Sequence, residues 1–352
     1  MIGKAQVAAA LAKADACLEA NDSEGALRAI GSVLRASTYA KPIGLEVASS
    51  LLRTFRVAWA AKRYADGERA AYATYSIRVR QLAPDDDDLA TAMLSVAMSF
   101  DARGAKAVAA DFMRKAMCIT EKALGLEHER ARAIKRAAQD HRREFDPALR
   151  PGAPGVYELD TRGASGNPDL AFVADIPAAV ARVNLDLLRV GALGKRLPKG
   201  VVFTARPKAS LPTPVVGNKG SLLLVHEAVK AVFDATGAAF ESSRVEILTS
   251  QRKPISREHF LIHPLTLYEC RHAKARHDPE SLESLYTEDL VVDAKAAKKA
   301  PPLFRIPRGG RELPYHGAFV NEEVAEALYR ALLPHVYLVE VRQSPRPRTA
   351  HR

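Results

Sequence analysis

Leu224-Val-His-Glu-Ala-Val-Lys-Ala-Val-Phe233 and Phe319-Val-Asn-Glu-Glu-Val-Ala-Glu-Ala-Leu328 follow one pattern, with an offset of 95 residues. In both stretches an extended segment ends at a valine, and a polar residue, His226 or Asn321, then stands where a helix cap belongs. A glutamate follows in the first helical turn, where the helix dipole stabilises its negative charge. The pattern therefore predicts, twice, a strand that leads directly into a capped helix.

The two predicted helices also share a buried face. Val229 and Val324 begin apolar stripes, and Phe233 and Leu328 lie one turn further along them. The β-rich runs that follow the helices are Val245–Leu248 and Tyr337–Val341. We therefore expect two strand–helix–strand units of one design.

Other short β-rich runs, separated by turns rich in proline, glycine and serine, surround these units. They are Gly155–Leu159, Leu170–Val173, Val201–Ala205, Leu222–Val225, His259–Ile262, Leu265–Cys270 and Leu303–Ile306. The predicted helices are Ile176–Val190, Glu227–Thr236 and Glu322–Leu333, whereas Gly217–Gly220 and Pro307–Arg311 are interpreted as turns and Lys295–Lys299 as a solvated stretch. This mixture predicts an α+β domain over residues 156–342 with a largely antiparallel sheet.

Six segments of this half occur in a characteristic order. They are Leu224-Val-His-Glu227, His263-Pro-Leu…Tyr268-Glu-Cys270, Leu290-Val-Val-Asp293, Leu303-Phe-Arg305, Val320-Asn-Glu322 and Leu338–Val341. Together they resemble a bacterial polymorphic-toxin immunity family, first catalogued as a domain of unknown function, whose type members are myxobacterial immunity proteins. The resemblance covers about residues 155–342. It implies binding and neutralisation of a cognate protein toxin, with no catalysis and no cofactor.

The chain departs from that family's pattern at two places. Family members have aspartate on both sides of the cysteine, where this chain has Glu269 and Arg271 around Cys270. The serine that the family places at the helix cap is His226 in one unit and Asn321 in the other. Because these motifs are mostly structural, the resemblance bears on the fold more directly than on the partner.

Residues 1–145 have a different composition, rich in alanine, leucine, arginine and glutamate, and their apolar residues recur at helical spacing. Asp22 or Ser23 is placed to cap the second helix. Leu82–Ala90 aligns with Leu124–Arg132 at an offset of 42 residues, and in both copies an acidic turn starts a new helix. The loop resembles tetratricopeptide repeats of the kinesin-light-chain type. We expect an all-α tetratricopeptide-like solenoid of roughly three helical pairs.

The predicted fold is thus an α+β multidomain protein. A linker over residues 146–155, with three prolines and two glycines, separates the helical repeat from the α+β domain, and residues 343–352 read as a disordered basic tail.

Composition narrows the choice of partners. The net charge of +11 is spread over both halves, +4 on residues 1–147 (23 basic against 19 acidic) and +7 on the rest (29 against 22). This even spread and the 6% aromatic content do not favour nucleic acid, and an acidic protein partner suits the charge better. We find no signal peptide and no apolar run long enough for a membrane span. Three dispersed cysteines fit a reducing bacterial cytoplasm.

The densest set of possible ligands is His259, His263, Cys270, His272 and His277. Its spacing matches no standard zinc pattern, and the β-rich flanks of the first two histidines argue against a helix that would bring them together. Asp85–Asp88 lacks the spacing of a calcium loop and reads as a solvated helix start. The sequence assigns no metal, cofactor-binding or catalytic residue, and it does not identify the partner-binding residues.

Three functions are compatible with these patterns. The first is an immunity protein that neutralises a toxin, with a second protein on the helical repeat as a further partner. The second is a tetratricopeptide adaptor or sensor in a bacterial defence or signalling assembly. The third is a hydrolase with Cys270 as nucleophile and His272 as base, for which no orienting group or oxyanion site is recognisable.

Overall fold

The computed structural model describes residues 4–36, 44–146, 152–160, 171–173, 175–183, 187, 191–207, 213–218, 222–272, 290–307 and 317–343. The chain divides into two compact units, Met1–His141 and Arg142–Arg352. In the described residues the first unit is helical and the second contains largely antiparallel sheets with a few helices. The predicted mixed α+β class is therefore confirmed.

The helical unit consists of α-helices arranged in consecutive pairs. They are α1 (Lys4–Glu19), α2 (Ser23–Ala36), α3 (Leu45–Ala60), α4 (Tyr64–Gln81), α5 (Asp87–Ala102), α6 (Lys106–Leu124) and α7 (Glu129–Phe145). The odd-numbered helices begin at residues 4, 45, 87 and 129, and the even-numbered ones at 23, 64 and 106. Successive starts differ by 41 or 42 residues (45 − 4, 87 − 45, 129 − 87), so the period found in one loop extends through the unit.

Acidic side chains cap two helices of this unit, α2 and α5. Asp22 caps α2, since its carboxylate accepts the backbone N–H of Gly25 at 2.8 Å, as predicted. Asp86 caps α5 by accepting from the N–H of Asp88 at 2.8 Å. Asp87 is more than a solvated residue, because its carboxylate contacts Arg130 at 2.6 Å on α7. The acidic turn thus links one helical pair to the next helix.

The second unit contains ten described strands and four described α-helices. The strands are β1 (Val156–Leu159), β2 (Phe172–Val173), β3 (Val201–Thr204), β4 (Gly217–Asn218), β5 (Leu223–His226), β6 (Phe240–Leu248), β7 (Pro254–Pro264), β8 (Leu303–Phe304), β9 (Ala318–Asn321) and β10 (Leu338–Glu340). The helices are α8 (Ala178–Ala181), α9 (Glu227–Ala235), α10 (Ala294–Ala297) and α11 (Glu322–Arg330).

The strands form two four-stranded sheets and a short pair, rather than the single sheet that the sequence suggested. One sheet has the order β10-β1-β9-β8 and is antiparallel throughout. The other has the order β3-β6-β7-β5, in which β3 and β6 are parallel. The pair is β2 with β4. Each large sheet has its own buried apolar cluster.

The two repeated stretches adopt the same topology, one in each sheet. In the first split unit, β5–α9–β6, both strands pair antiparallel with β7, which lies between them. In the second split unit, β9–α11–β10, both strands pair antiparallel with β1. A third strand therefore separates the two strands of each strand–helix–strand unit, and α9 packs against α11.

The structure confirms the predicted local features of these units. His226 caps α9 by accepting from the N–H of Ala228, and Asn321 caps α11 by accepting from the N–H of Val324. The predicted core positions Val229, Phe233, Val324 and Leu328 are all at most 2% exposed.

Several predictions about the connecting segments are wrong. Leu265–Cys270 is no strand, since Pro264 ends β7 and only Leu267 forms an isolated bridge, to Arg305. Lys295–Lys299 is solvated as predicted, since its three lysines are exposed, but part of it belongs to helix α10, which Asp293 caps. Gly217–Gly220 begins as strand β4 rather than as a turn.

Two further predictions fall partly on residues outside the described ranges. The only α-helix described within Ile176–Val190 is α8, four residues long. The first residue assigned to the tail, Gln343, is 7% exposed, and its N–H donates to Asp146 at 2.7 Å. Residues 308–311 and 344–352 lie outside the described residues.

Candidate functional site

The N-terminal end of β7 is irregular. Val245 and Ile247 of β6 pair with His259 and Ser256 of β7, so Glu246 alone faces both Arg257 and Glu258. Residues i and i+3 of a regular strand point to opposite faces, but one extra residue restores a common face. The bulge therefore brings Ser256 and His259 to the same side of the strand.

A cavity of about 650 Å³ opens beside this bulge. Its walls come from four segments of the second unit, namely Thr213–Pro214, the start of α9, the residues Pro254–Glu258, and Leu333–Pro334 after α11. Cavities of this size with mainly apolar walls and a few polar groups are typical of binding sites. Here the polar side chains of His226, Ser256 and Glu258 line the cavity.

His259 lies behind the lining residues Thr213 and Ser256 and is completely buried. Its Nε2 lies 2.7 Å from the carbonyl oxygen of Thr213, which can only accept, so the ring hydrogen is on Nε2. Its Nδ1 then accepts from the hydroxyl of Ser256 at 2.8 Å. Burial lowers the pKa of His259 from 6.5 to about 4, and the ring is neutral at physiological pH.

His226 forms the outer part of the site, with its ring centroid 5.3 Å from that of His259. Its Nδ1 accepts the N–H of Ala228 at 3.2 Å, so Nε2 carries the hydrogen. Nε2 donates to the carboxylate of Glu258 at 2.9 Å. The side chain of Glu258 is 63% exposed, which leaves its charge accessible at the mouth.

The Ser256–His259 contact resembles a nucleophile beside a base, but the base is poorly matched to that role. A general base is most effective when its pKa lies near the working pH. With a pKa of about 4, His259 is a weak proton acceptor at neutral pH. The buried imidazole therefore fixes the position of the Ser256 hydroxyl, and the arrangement is better suited to binding than to activating the hydroxyl.

The histidines and cysteine singled out from the sequence do not form one cluster. His259 and His263 both lie on β7, as the β-rich flanks indicated, and four residues of strand separate them by roughly 13 Å. The ring of His263 instead contacts the carbonyl of Gly191 at 2.8 Å. His277 lies outside the described residues.

Cys270 is in the core of the β10-β1-β9-β8 sheet, 1% exposed. Burial raises the pKa of its thiol to about 12, so the thiolate needed for nucleophilic attack is scarce at neutral pH. The backbone N–H of His272 donates to the carbonyl of Val291 at 2.8 Å. Within the described part of the chain, no group of three or more histidine, cysteine, aspartate or glutamate side chains could hold a metal ion.

The cavity is not evident from the sequence, although His226 stands out there as a helix cap and His259 as a possible ligand. Ser256 and Glu258 were not singled out, because their positions depend on the bulge. The residues Ser-Arg-Glu-His, which interrupt the alternation of apolar and polar residues before Phe260, were the available signal.

No protein-family model matches the chain, and no curated protein matches it. Among the helices of the described ranges, none combines the length and apolar character required to cross a membrane.

Proposed function

We propose that this chain is an immunity-type protein that binds and neutralises a cognate bacterial toxin by protein–protein interaction. The observation that carries the proposal is the pair of split units, in which the repeated motifs form two capped helices at equivalent places in two sheets. These motifs are the ones whose order resembles the immunity family.

The chemistry of the second unit supports binding without catalysis. Its cavity is lined by His226, Ser256 and the accessible carboxylate of Glu258, and the weakly basic His259 lies behind them. The buried thiol of Cys270, with its pKa raised to about 12, is poorly suited to act as a nucleophile. These features favour recognition of a protein surface over the hydrolase alternative.

The helical unit supports the proposal as a second interaction surface. Its helix starts recur every 41 or 42 residues, a spacing that suits long tetratricopeptide repeats. Stacked repeats of this kind present extended surfaces that bind proteins. We infer that the unit is a tetratricopeptide-like solenoid that either contacts the toxin as well or recruits another protein.

The proposal places the chain in the bacterial cytoplasm. Cys17, Cys118 and Cys270 are free thiols, as a reducing compartment requires. A toxin that acts inside the cell would be neutralised there, and no cofactor is needed.

The direct test is protection. The candidate toxin encoded by the adjacent gene is expressed from an inducible promoter, with and without the full chain, and surviving colonies are counted. We expect the chain to restore survival and an unrelated immunity protein to fail. If the neighbouring gene encodes no toxin and the chain protects against none, the proposal is wrong.

The regular helix spacing also favours a second candidate, a tetratricopeptide adaptor or sensor in a defence or signalling assembly. In that case the partner would bind the helical unit, and the immunity-like unit would act as a sensor. Cross-linking of the full chain in its native strain, followed by mass spectrometry, distinguishes the two. Cross-links from the two units to unrelated proteins would favour the adaptor.

A further inference from the structure

The cavity beside the bulge of β7 has an uneven distribution of charge. Its two charged wall residues are Arg257 and Glu258. The guanidinium of Arg257 is paired with Glu246 at 2.7 Å on the neighbouring strand. The carboxylate of Glu258 contacts the ring of His226, and within the described residues it forms no ion pair with a lysine or an arginine.

The ring of His226 joins Glu258 to the start of α9. Its Nδ1 accepts the N–H of Ala228 at 3.2 Å, and its Nε2 contacts the carboxylate of Glu258 at 2.9 Å. The side chain of Glu258 is 63% exposed, and among the described residues its carboxylate forms no ion pair with a lysine or an arginine.

The walls around this charge are apolar. Pro214, Ile255, Leu333 and Pro334 line the cavity together with Ala228. A ligand that suits such walls has an apolar stem and a positive end. Arginine combines the two, because its methylene stem packs on apolar surfaces and its planar guanidinium binds carboxylates through two hydrogen bonds.

The N-terminus of α9 lies nearby and by itself favours anions over cations. Two features offset this effect. Glu227 occupies the first turn of the helix, and the N–H of Ala228 is already bound to His226. The exposed carboxylate therefore dominates the mouth of the cavity.

We propose that this cavity binds an arginine side chain of the protein partner, with the guanidinium on Glu258 and the stem against Pro214, Ile255 and Leu333. The inference rests on the proposed function, since it specifies where the toxin is recognised. Arginines that enter pockets are common determinants of affinity at protein interfaces.

The test uses N-acetyl-arginine amide as the probe and the full chain labelled with ¹³C at histidine Cε1. Only ten histidines contribute signals, and the variant His226→Asn assigns the signal of His226. Titration of the probe should shift that signal, and the corresponding citrulline amide, which lacks the charge, should bind at least about tenfold more weakly. The lysine amide should bind less tightly than arginine because it lacks the planar fork.

Two variants locate the binding. Glu258→Gln keeps the size of the side chain and should weaken the arginine probe about tenfold or more. Asp234→Asn removes a carboxylate from the far end of α9, where it pairs with Lys230, and should leave binding unchanged. Equal affinity in Glu258→Gln, or equal affinity for citrulline, would overturn the inference.

The survival assay separates this inference from the proposed function. If the arginine probe binds at Glu258 but the full chain protects against no toxin, the cavity inference stands and the immunity function fails. If the chain protects cells while the probe binds without regard to Glu258, the immunity function stands and the cavity inference fails.

Discussion

The first split unit, β5–α9–β6, and the second, β9–α11–β10, share one topology but use their capping residues differently. In the second, the side-chain oxygen of Asn321 caps α11 and its amide donates to the carbonyl of Ala300 at 3.0 Å. In the first, His226 caps α9 with one nitrogen and directs the other to Glu258 at the cavity. One cap is therefore entirely structural, whereas the other also serves a surface.

The glutamates that follow the two caps also differ: the one in the second unit makes structural hydrogen bonds, and the one in the first unit is exposed. Glu322 accepts from the hydroxyl of Tyr157 at 2.8 Å and from the N–H of Gly155 at 2.6 Å, so it ties α11 to the central strand β1. Glu227 in the first unit is exposed. The repeat thus keeps one structural pattern in both copies, while polar groups face a cavity in the first copy.

The largest expected losses of stability come from truncating the buried side chains of α9 and α11, and comparing the two losses shows whether both helices contribute equally to the core. Phe233→Ala removes a fully buried ring from α9 and should lower the free energy of unfolding by about 3–5 kcal/mol, and Leu328→Ala in α11 by about 2–5 kcal/mol. Urea unfolding followed by circular dichroism measures both. Trp59, the single tryptophan, lies in the helical unit. Its fluorescence reports the unfolding of that unit and is the internal reference. A loss below about 1 kcal/mol in either variant would contradict the assignment of these residues to the core.

The next largest expected effect is a pH dependence of stability that arises from His259, on strand β7 of the β3-β6-β7-β5 sheet. The pKa of His259 is about 4 in the folded chain and 6.5 when unfolded, so the unfolded chain binds the additional proton. The resulting stability is present above pH 6.5, decreases as the pH falls toward 4, and amounts to at most about 3 kcal/mol. His259→Gln should reduce the loss of stability between pH 7 and pH 4. An identical pH profile in the variant would show that His259 does not titrate as described.

The two caps should differ in their contribution to stability. His226→Ala should cost about 1 kcal/mol, the usual value for a lost helix cap. Asn321→Ala should cost about 2 kcal/mol, because the carbonyl of Ala300 loses its donor as well. Thermal unfolding of the two variants gives the comparison, and a larger loss in His226→Ala would reverse our assignment of the structural cap.

The smallest expected effect on stability comes from His226→Asn, which tests separately the helix cap and the contact with Glu258. His226→Asn keeps a good capping side chain but shortens it, so the contact with Glu258 is lost. Its free energy of unfolding should stay within about 0.5 kcal/mol of the native chain. A large loss of stability would mean that the contact between His226 and Glu258 is primarily structural.

Local sequence signals predicted the capped helices and their buried faces because these depend on neighbouring residues. His226, Asn321, Val229 and Val324 could be placed from spacing alone. The division into two sheets was not predictable in this way, since β1 lies between two strands that follow it by more than 150 residues (318 − 159). Pairing over such distances leaves no periodic trace in the sequence.

The candidate site could not be predicted either, because it also depends on contacts between residues that are distant in the sequence. The bulge that unites Ser256 with His259 depends on the register between β6 and β7. The carbonyl that fixes the ring of His259 comes from Thr213, 46 residues earlier. Leu265–Cys270 was mistaken for a strand because its β-rich composition outweighed the effect of Pro264.

The most direct test of the central claim is hydrogen–deuterium exchange of the full chain, alone and mixed with the toxin encoded by the adjacent gene. The proposed function predicts slower exchange in the second unit, centred on the start of α9 and residues 254–258, with little change around the cap of α11. Slower exchange confined to the helical unit, or no change at all, would contradict the claim that the immunity-like unit binds the toxin.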